Sequence, residues 1–94
     1  MDVSETFFNE LFYIYVYIKE NLNNKTAADK IADKAWKIVH DLEVFPFKYQ
    51  EFKNGVRKAL VGRYNIYYSV NEQLKIVNIL HILYQGMDIT KIAN

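Results

Sequence analysis

The chain reads as an α+β domain in which an N-terminal antiparallel helical hairpin packs on a small, mostly antiparallel β-sheet of three to four strands. From Gly55 the sequence runs GVRKALVGRYNIYYSVNEQLKIVNILHIL, dense in the β-branched and aromatic residues that fit a pleated, half-buried surface. Upstream, apolar residues recur at helical spacing in two blocks separated by a run of amides. The length of 94 residues, 51 % of them hydrophobic, provides one core, so residues 1–94 form a single domain with little stability to spare.

Met1 to Val3 is either unstructured or a very short strand. Ser4 is placed to cap the first helix, although Phe7 stands where a capping box would have an acid. Phe8, Leu11, Phe12, Tyr15, Ile18 and Leu22 make a stripe at helical spacing, and Phe7, Ile14 and Val16 broaden it. A face that wide suits a helix wedged between sheet and second helix, and also one that keeps surface for a partner. The two readings are compatible.

Asn21 to Lys25 breaks the helix, because short amide side chains favour caps and turns. Thr26, followed by Asp29, marks a fresh N-terminus. Ala28, Ile31, Ala32, Ala35, Ile38, Val39 and Leu42 then form a stripe whose alanines allow close approach to the first helix, with Trp36 half-packed on its flank. So short a joint makes the pair an antiparallel hairpin. The second helix ends within Glu43 to Phe47, where Pro46 removes an amide donor.

Lys48 to Asn54 is a connection, partly extended, into the first strand, Val56 to Val61, which stops at Gly62. Tyr64 to Val70 and Leu74 to Leu83 are the next two strands, joined by a polar turn at Asn71 to Gln73. Alternation puts Tyr64, Ile66, Tyr68 and Val70 on the face to be buried, with Asn65, Tyr67 and Ser69 on the other. Gly86 ends the pattern, and Ile89 to Asn94 carries no assignable structure.

Composition narrows the chemistry. With no cysteine there is no disulfide and no thiolate metal site, which fits a reducing compartment. No run of eighteen apolar residues exists, and the acidic start lacks the basic lead of a secretory signal. A cytoplasmic protein without a membrane span is expected. Residues 1–55 carry nine acids against seven lysines, whereas residues 56–94 carry five Lys/Arg against two acids. That C-terminal excess is thin for a nucleic-acid surface and suits an acidic peptide equally well.

Two histidines, His40 and His81, fall short of a zinc ligand set, so no metal and no cofactor is expected. A His81 buried amid Leu80, Ile82 and Leu83 would need a hydrogen-bond partner. Gly55, Gly62 and Gly86 form no phosphate-cradling loop, no acid pair suited to hydrolysis is evident, and Ser4 and Ser69 lack a base. What remains is Arg57, Lys58 and Arg63 among Tyr64, Tyr67, Tyr68 and Tyr84. Cations and tyrosines can hold RNA by phosphate contact and stacking, and a basic group can stabilise a phosphodiester transition state. Composition alone favours the simpler account, in which the tyrosines build sheet and the arginines solubilise.

The helical hairpin, Pro46 and the string LVGRYNIYYSV…KIVNILHIL together resemble the RelE/ParE superfamily of toxins from bacterial type II toxin–antitoxin pairs. Arg57 with Leu60-Val61-Gly62-x-Tyr64 is similar to that family's strand entry, Ile66-x-Tyr68-x-Val70 to its next strand, and Ile79-Leu80-x-Ile82-Leu83 to its last core strand. The resemblance spans nearly the whole chain. It implies a sheet backed by two helices, bound by a cognate antitoxin whose C-terminal part wraps the toxin. It also implies one of two activities, ribosome-dependent cleavage of messenger RNA or poisoning of DNA gyrase.

The chain departs from the family's pattern at informative positions. Asn65 follows Tyr64 where the RNA-cleaving branch commonly has an active-site arginine. Tyr84-Gln85-Gly86-Met87-Asp88 replaces a common His-Gly-Arg-Arg-Asp, leaving Asp88 and neither arginine. The C-terminal tyrosine of the cleaving branch has no counterpart after Tyr84. The opening strand, usually about five residues, is cut to Met1-Asp2-Val3, which would leave a sheet edge open to the antitoxin or to a second copy of the chain.

A ParE-like toxin that is not an active ribonuclease is therefore expected. The alternatives are a RelE-like endonuclease leaning on Arg57, Lys58, Arg63 and Tyr84, or a degenerate, non-toxic member. Partner or target contact is assigned to Arg57, Lys58, Arg63, Tyr67, His81 and Asp88.

Overall fold

The computed structural model describes residues 1–86. Their secondary elements are β1 (Asp2–Val3), α1 (Glu5–Val16), a π-helical turn (Tyr17–Asn21), α2 (Lys25–Val44), β2 (Glu51–Lys53), β3 (Val56–Val61), β4 (Tyr64–Asn71) and β5 (Ile76–Tyr84). The sheet has five strands in the order β1-β5-β4-β3-β2, with β1 parallel to β5 and the other pairs antiparallel. The α+β architecture is the expected one. The sheet exceeds the expected three to four strands because Met1–Val3 and the 48–54 connection each contribute a short edge strand, too brief to show an alternating pattern.

β4 is the centre of the sheet, pairing with β3 from Val61↔Tyr64 to Val56↔Ser69 and with β5 from Tyr64↔Tyr84 to Asn71↔Ile76. The register with β5 shifts between Tyr67 and Tyr68, which oppose His81 and Ile79, so Leu80 is the extra residue of a bulge. β5 starts at Ile76, later than the expected Leu74. Asn71 closes the turn before it by accepting the Leu74 N–H at 3.1 Å, and Lys75 takes a left-handed φ of 55°.

The inner face follows the alternation. Ile66 and Tyr68 are fully buried with Ala59, Ile79 and Ile82, and Tyr64 and Val70 pack at the margin. The Tyr68 hydroxyl crosses the core to donate to the Pro46 carbonyl at 3.0 Å, tying the end of α2 to the sheet. The outer face is not left to water either. Tyr67 and Leu83 are buried there against Val56, and Phe52 meets Tyr67 edge-on at 5.9 Å.

α1 is rotated relative to its sequence reading. Phe7, Leu11, Ile14 and Ile18 enter the core, while Phe8, Phe12 and Leu22 of the expected stripe are exposed, Phe12 at 69 %. Outside Asn9 and Glu10 every position from Phe7 to Ile18 is apolar or aromatic, so periodicity alone left the phase open. The choice comes from the cap. The Ser4 hydroxyl accepts the Phe7 N–H at 3.0 Å and donates to the Leu80 carbonyl at 2.8 Å, and the Ser4 N–H donates to the Ile79 carbonyl at 2.9 Å. Pinning the first turn to β5 in this way sets which side of the helix faces the sheet.

The helix then widens into the π turn, closed by the Leu22 N–H to the Tyr17 carbonyl at 3.2 Å. α2 begins one residue before the expected Thr26. Its cap is Asn24, whose side chain accepts the Ala27 N–H at 3.0 Å after Asn23 turns the chain at φ 50°. Ala28, Ile31, Ala35, Val39 and Leu42 are buried from α2, and Trp36 is half-buried against Phe7 and Phe8. Asp29 joins the helices, accepting from the Tyr15 hydroxyl at 2.8 Å and from Lys25 Nζ at 2.9 Å. Among the described residues, no helix is long and apolar enough to cross a membrane.

A candidate partner-binding groove

Between α1 with its π turn and the end of β5 runs a groove of about 1030 Å³, lined largely by apolar side chains. Tyr13, Tyr17, Ile18 and Leu22 form its helical wall, and Ile82, Leu83 and Tyr84 its sheet wall. Arg63 and Tyr64 close one end, and Thr6, Asn9 and Glu10 the other. Tyr13 and Tyr17 stack one helical turn apart with ring centres at 6.5 Å, and Tyr64 meets Tyr84 edge-on at 5.7 Å. Gly62 lets the β3–β4 turn approach α2. Its φ is +59°, and a Cβ there would stand 3.2 Å from Ile31 Cδ1.

The aromatic end is built around Tyr64. Burial holds its hydroxyl pKa above the ordinary tyrosine value, neighbouring Tyr84 and Tyr17 add to the rise, and Arg63 opposes it. The hydroxyl is therefore a neutral donor at physiological pH. Among the described residues, no carboxylate lies within 4.0 Å of Arg63, the only cationic side chain lining the groove. A groove of this kind offers apolar and aromatic contact plus one guanidinium fork for a carboxylate.

At its other end Glu10 reaches over the edge of β5. It accepts the Ile82 N–H at 3.0 Å and contacts His81 Nδ1 at 3.1 Å. The half-buried imidazole thus has its hydrogen-bond partner, supplied from 71 positions away. Nothing local in the sequence points from Glu10, which follows Asn9 on α1, to a partner on the last strand.

The residues singled out in the sequence fall in three places. Arg63 and Tyr84 come together at the groove. Arg57 and Lys58 lie on β3, four and three residues before its end at Val61, and Arg63 sits in the turn beyond, so the strand separates them by roughly 10–13 Å. Arg57 Nη1 donates to the Tyr49 carbonyl, with the guanidinium 4.9 Å from the Phe47 ring centre, and Lys58 Nζ stands 4.8 Å over Phe52. Tyr67 is 3 % exposed on the outer face of the sheet, where the Asn65 amide reaches its hydroxyl at 3.4 Å. His81 is held by Glu10, and Asp88 lies outside the described residues. Tyr13 and Tyr17 fall outside the stripe expected of α1, and Leu22, expected within it, is exposed in the groove wall instead.

Residues 2–89 match the family described as ParE toxin of type II toxin-antitoxin system, parDE. Among curated proteins, no relative matches the chain. The match covers nearly the whole sequence and agrees with a sheet backed by two N-terminal helices. The chain belongs to the ParE toxin family, the toxin subunits of type II toxin–antitoxin pairs, which a cognate antitoxin neutralises.

Proposed function

We propose that this toxin acts without cutting RNA, on a protein target of the DNA gyrase type, and that its antitoxin silences it by occupying the groove between α1 and β5. The separation of Arg57 and Lys58 from Arg63 and Tyr84 carries the first half of this reading. Phosphodiester cleavage requires an acid, a base and charge stabilisation converging on one phosphate. Here Arg57 and Lys58 stand on β3 and Arg63 in the turn that follows it, and the first two are engaged by Tyr49, Phe47 and Phe52. Asn65, standing where the cleaving branch commonly has arginine, is buried and has no charge to offer a phosphate. The groove supports the second half, since it combines exposed aromatics with a cation suited to a peptide carboxylate. Both partners place the protein's action in the cytoplasm.

Inducible expression without the antitoxin tests the reading. Growth arrest with stalled DNA replication and intact ribosome-bound transcripts is the expected result. Transcripts cut on the ribosome would overturn it in favour of an endonuclease, and normal growth would mark a member that keeps the fold and has lost toxicity.

A further inference from the structure

We infer that two copies of the free chain associate weakly about a two-fold axis at Phe12, with α1 of one copy lying antiparallel on α1 of the other. The fold leaves an aromatic surface uncovered on this helix. Phe12 is 69 % exposed, and Phe8, one turn before it, 48 %. Phe8 meets Trp36 of α2 at 5.4 Å, so the patch continues across the seam of the hairpin. Contiguous apolar surface of this kind marks a site of association. It is separate from the groove, because Phe8 and Tyr13 are five residues apart and so about 140° round the helix axis.

The pattern along α1 selects a second copy as the occupant. Glu5, Phe8, Phe12, Val16 and Lys19 follow at three- and four-residue steps and so share one side of α1 and its π turn. Phe12 is the midpoint of that series. Phe8 and Val16 lie four residues either side of it, and Glu5 and Lys19 seven. Reversing one copy on another therefore sets Phe12 against Phe12, Phe8 against Val16, and Glu5 against Lys19 twice over. Seven residues span about 10 Å of helix, so at the shallow crossing of about 20° both charges stay within reach of their partners. A parallel pairing would instead set Glu5 on Glu5 and Lys19 on Lys19. Neither charge is committed within its own copy. Among the described residues, Glu5 has no cation within 4.0 Å, and Lys19 meets only its neighbour Glu20, at that limit.

An aromatic centre rimmed by opposite charges is the composition of a protein interface. A single helix pair is small for a stable one, so the dimer dissociates at low micromolar concentration, where the monomer is what unfolds. The groove side of α1 stays uncovered in the dimer, and the pairing does not depend on how the antitoxin is seated.

Sedimentation equilibrium on the full chain without its antitoxin, from low micromolar to near-millimolar concentration, tests the pairing. A monomer–dimer equilibrium is expected, and Phe12→Glu should abolish it while leaving antitoxin affinity unchanged. Glu5→Lys and Lys19→Glu should each weaken the dimer about tenfold, and together restore it to within about threefold. The chain has no cysteine, so Phe12→Cys is expected to cross-link to its own copy under mild oxidation. Lys30→Cys, about 120° round α2 from Trp36, should not. Circular dichroism at low concentration checks that each variant is folded. A natural chain that stays monomeric throughout, or a dimer that survives Phe12→Glu, would overturn the proposal. So would equal cross-linking of the two cysteine variants, or charge reversals that have no effect singly or are not repaired together. Loss of antitoxin binding by Phe12→Glu, with the free chain monomeric, would assign the patch to the antitoxin and overturn it as well.

Discussion

The Glu10 carboxylate stands 3.0 Å from the backbone nitrogen of Ile82, taking the place of a neighbouring strand's carbonyl on the edge of β5. A side chain on the first helix thereby finishes a sheet edge that the two-residue β1 is too short to cover. The same carboxylate orients His81, so one residue satisfies a backbone donor and an imidazole together.

Replacing Glu10 separates these roles. Glu10→Ala leaves the Ile82 N–H without its acceptor and is expected to cost about 1–3 kcal/mol. For a domain of this size that lowers Tm by roughly 4–8 °C per kcal/mol. Glu10→Gln keeps an acceptor oxygen for Ile82 and should lose less than half as much. Thermal unfolding of the pair checks both values, and equal losses would show that the carboxylate's charge matters and its hydrogen bond to Ile82 does not.

The phase of α1 is tested by two phenylalanines five residues apart. Phe7 is fully buried, and Phe7→Ala is expected to cost about 3–5 kcal/mol through lost burial and the cavity left behind. Phe12 is 69 % exposed, and Phe12→Ala should stay within about 0.5 kcal/mol. Urea unfolding of both variants measures the contrast, and a large loss at Phe12 would mean that the helix is turned the other way.

The two arginines should behave oppositely. Arg63→Ala is expected to weaken antitoxin binding at least tenfold, as truncating one side of an interfacial charge pair does, and to change stability by under about 0.5 kcal/mol. Arg57→Ala should leave antitoxin affinity unchanged. It loses the bond to the Tyr49 carbonyl and the contact with Phe47, at about 1–2 kcal/mol of stability. Titration calorimetry and thermal melts on the two variants give the four numbers needed.

Acid sensitivity should concentrate at the joint between the helices. The Lys25 ammonium, then the Tyr15 hydroxyl, holds the Asp29 carboxyl below the usual carboxylate range. A depressed folded-state pKa contributes stability above the unfolded value, and that contribution is lost as pH falls through the folded one. The stability gap between the natural chain and Asp29→Asn is therefore expected to be full above about pH 4 and to close at lower pH. Melts from pH 6 down to strongly acid solution check it, and a gap that instead closed on the alkaline side would contradict the sign. The site is exposed, so added salt should shrink the gap throughout.

What the sequence determined by itself is the central sheet and the family. The alternation of Tyr64, Ile66, Tyr68 and Val70 specified which residues of β4 face the helices, because a strand's period of two leaves no other way to bury Ile66 and Tyr68 on one side; the burial of Asn65 and Tyr67 on the other face was not written in it. The small residues of α2 marked its packed stripe for the same kind of reason, since charged residues occupy the opposite side. α1 was different. Ten of the twelve residues from Phe7 to Ile18 are apolar or aromatic, so more than one stripe could be buried and local pattern could not select between them.

Tertiary structure made that choice, through Ser4 docking on Ile79 and Leu80 from the far end of the chain. It alone also brought Glu10 to Ile82, gathered Arg63 with Tyr84 against Tyr13 and Tyr17, and held Arg57 apart from them on β3. Strand propensity and helical period are written within a few residues of one another. Which edge stays open and which side chains share a groove depend on contacts between elements some seventy positions apart, and those exist only once the chain has closed on itself.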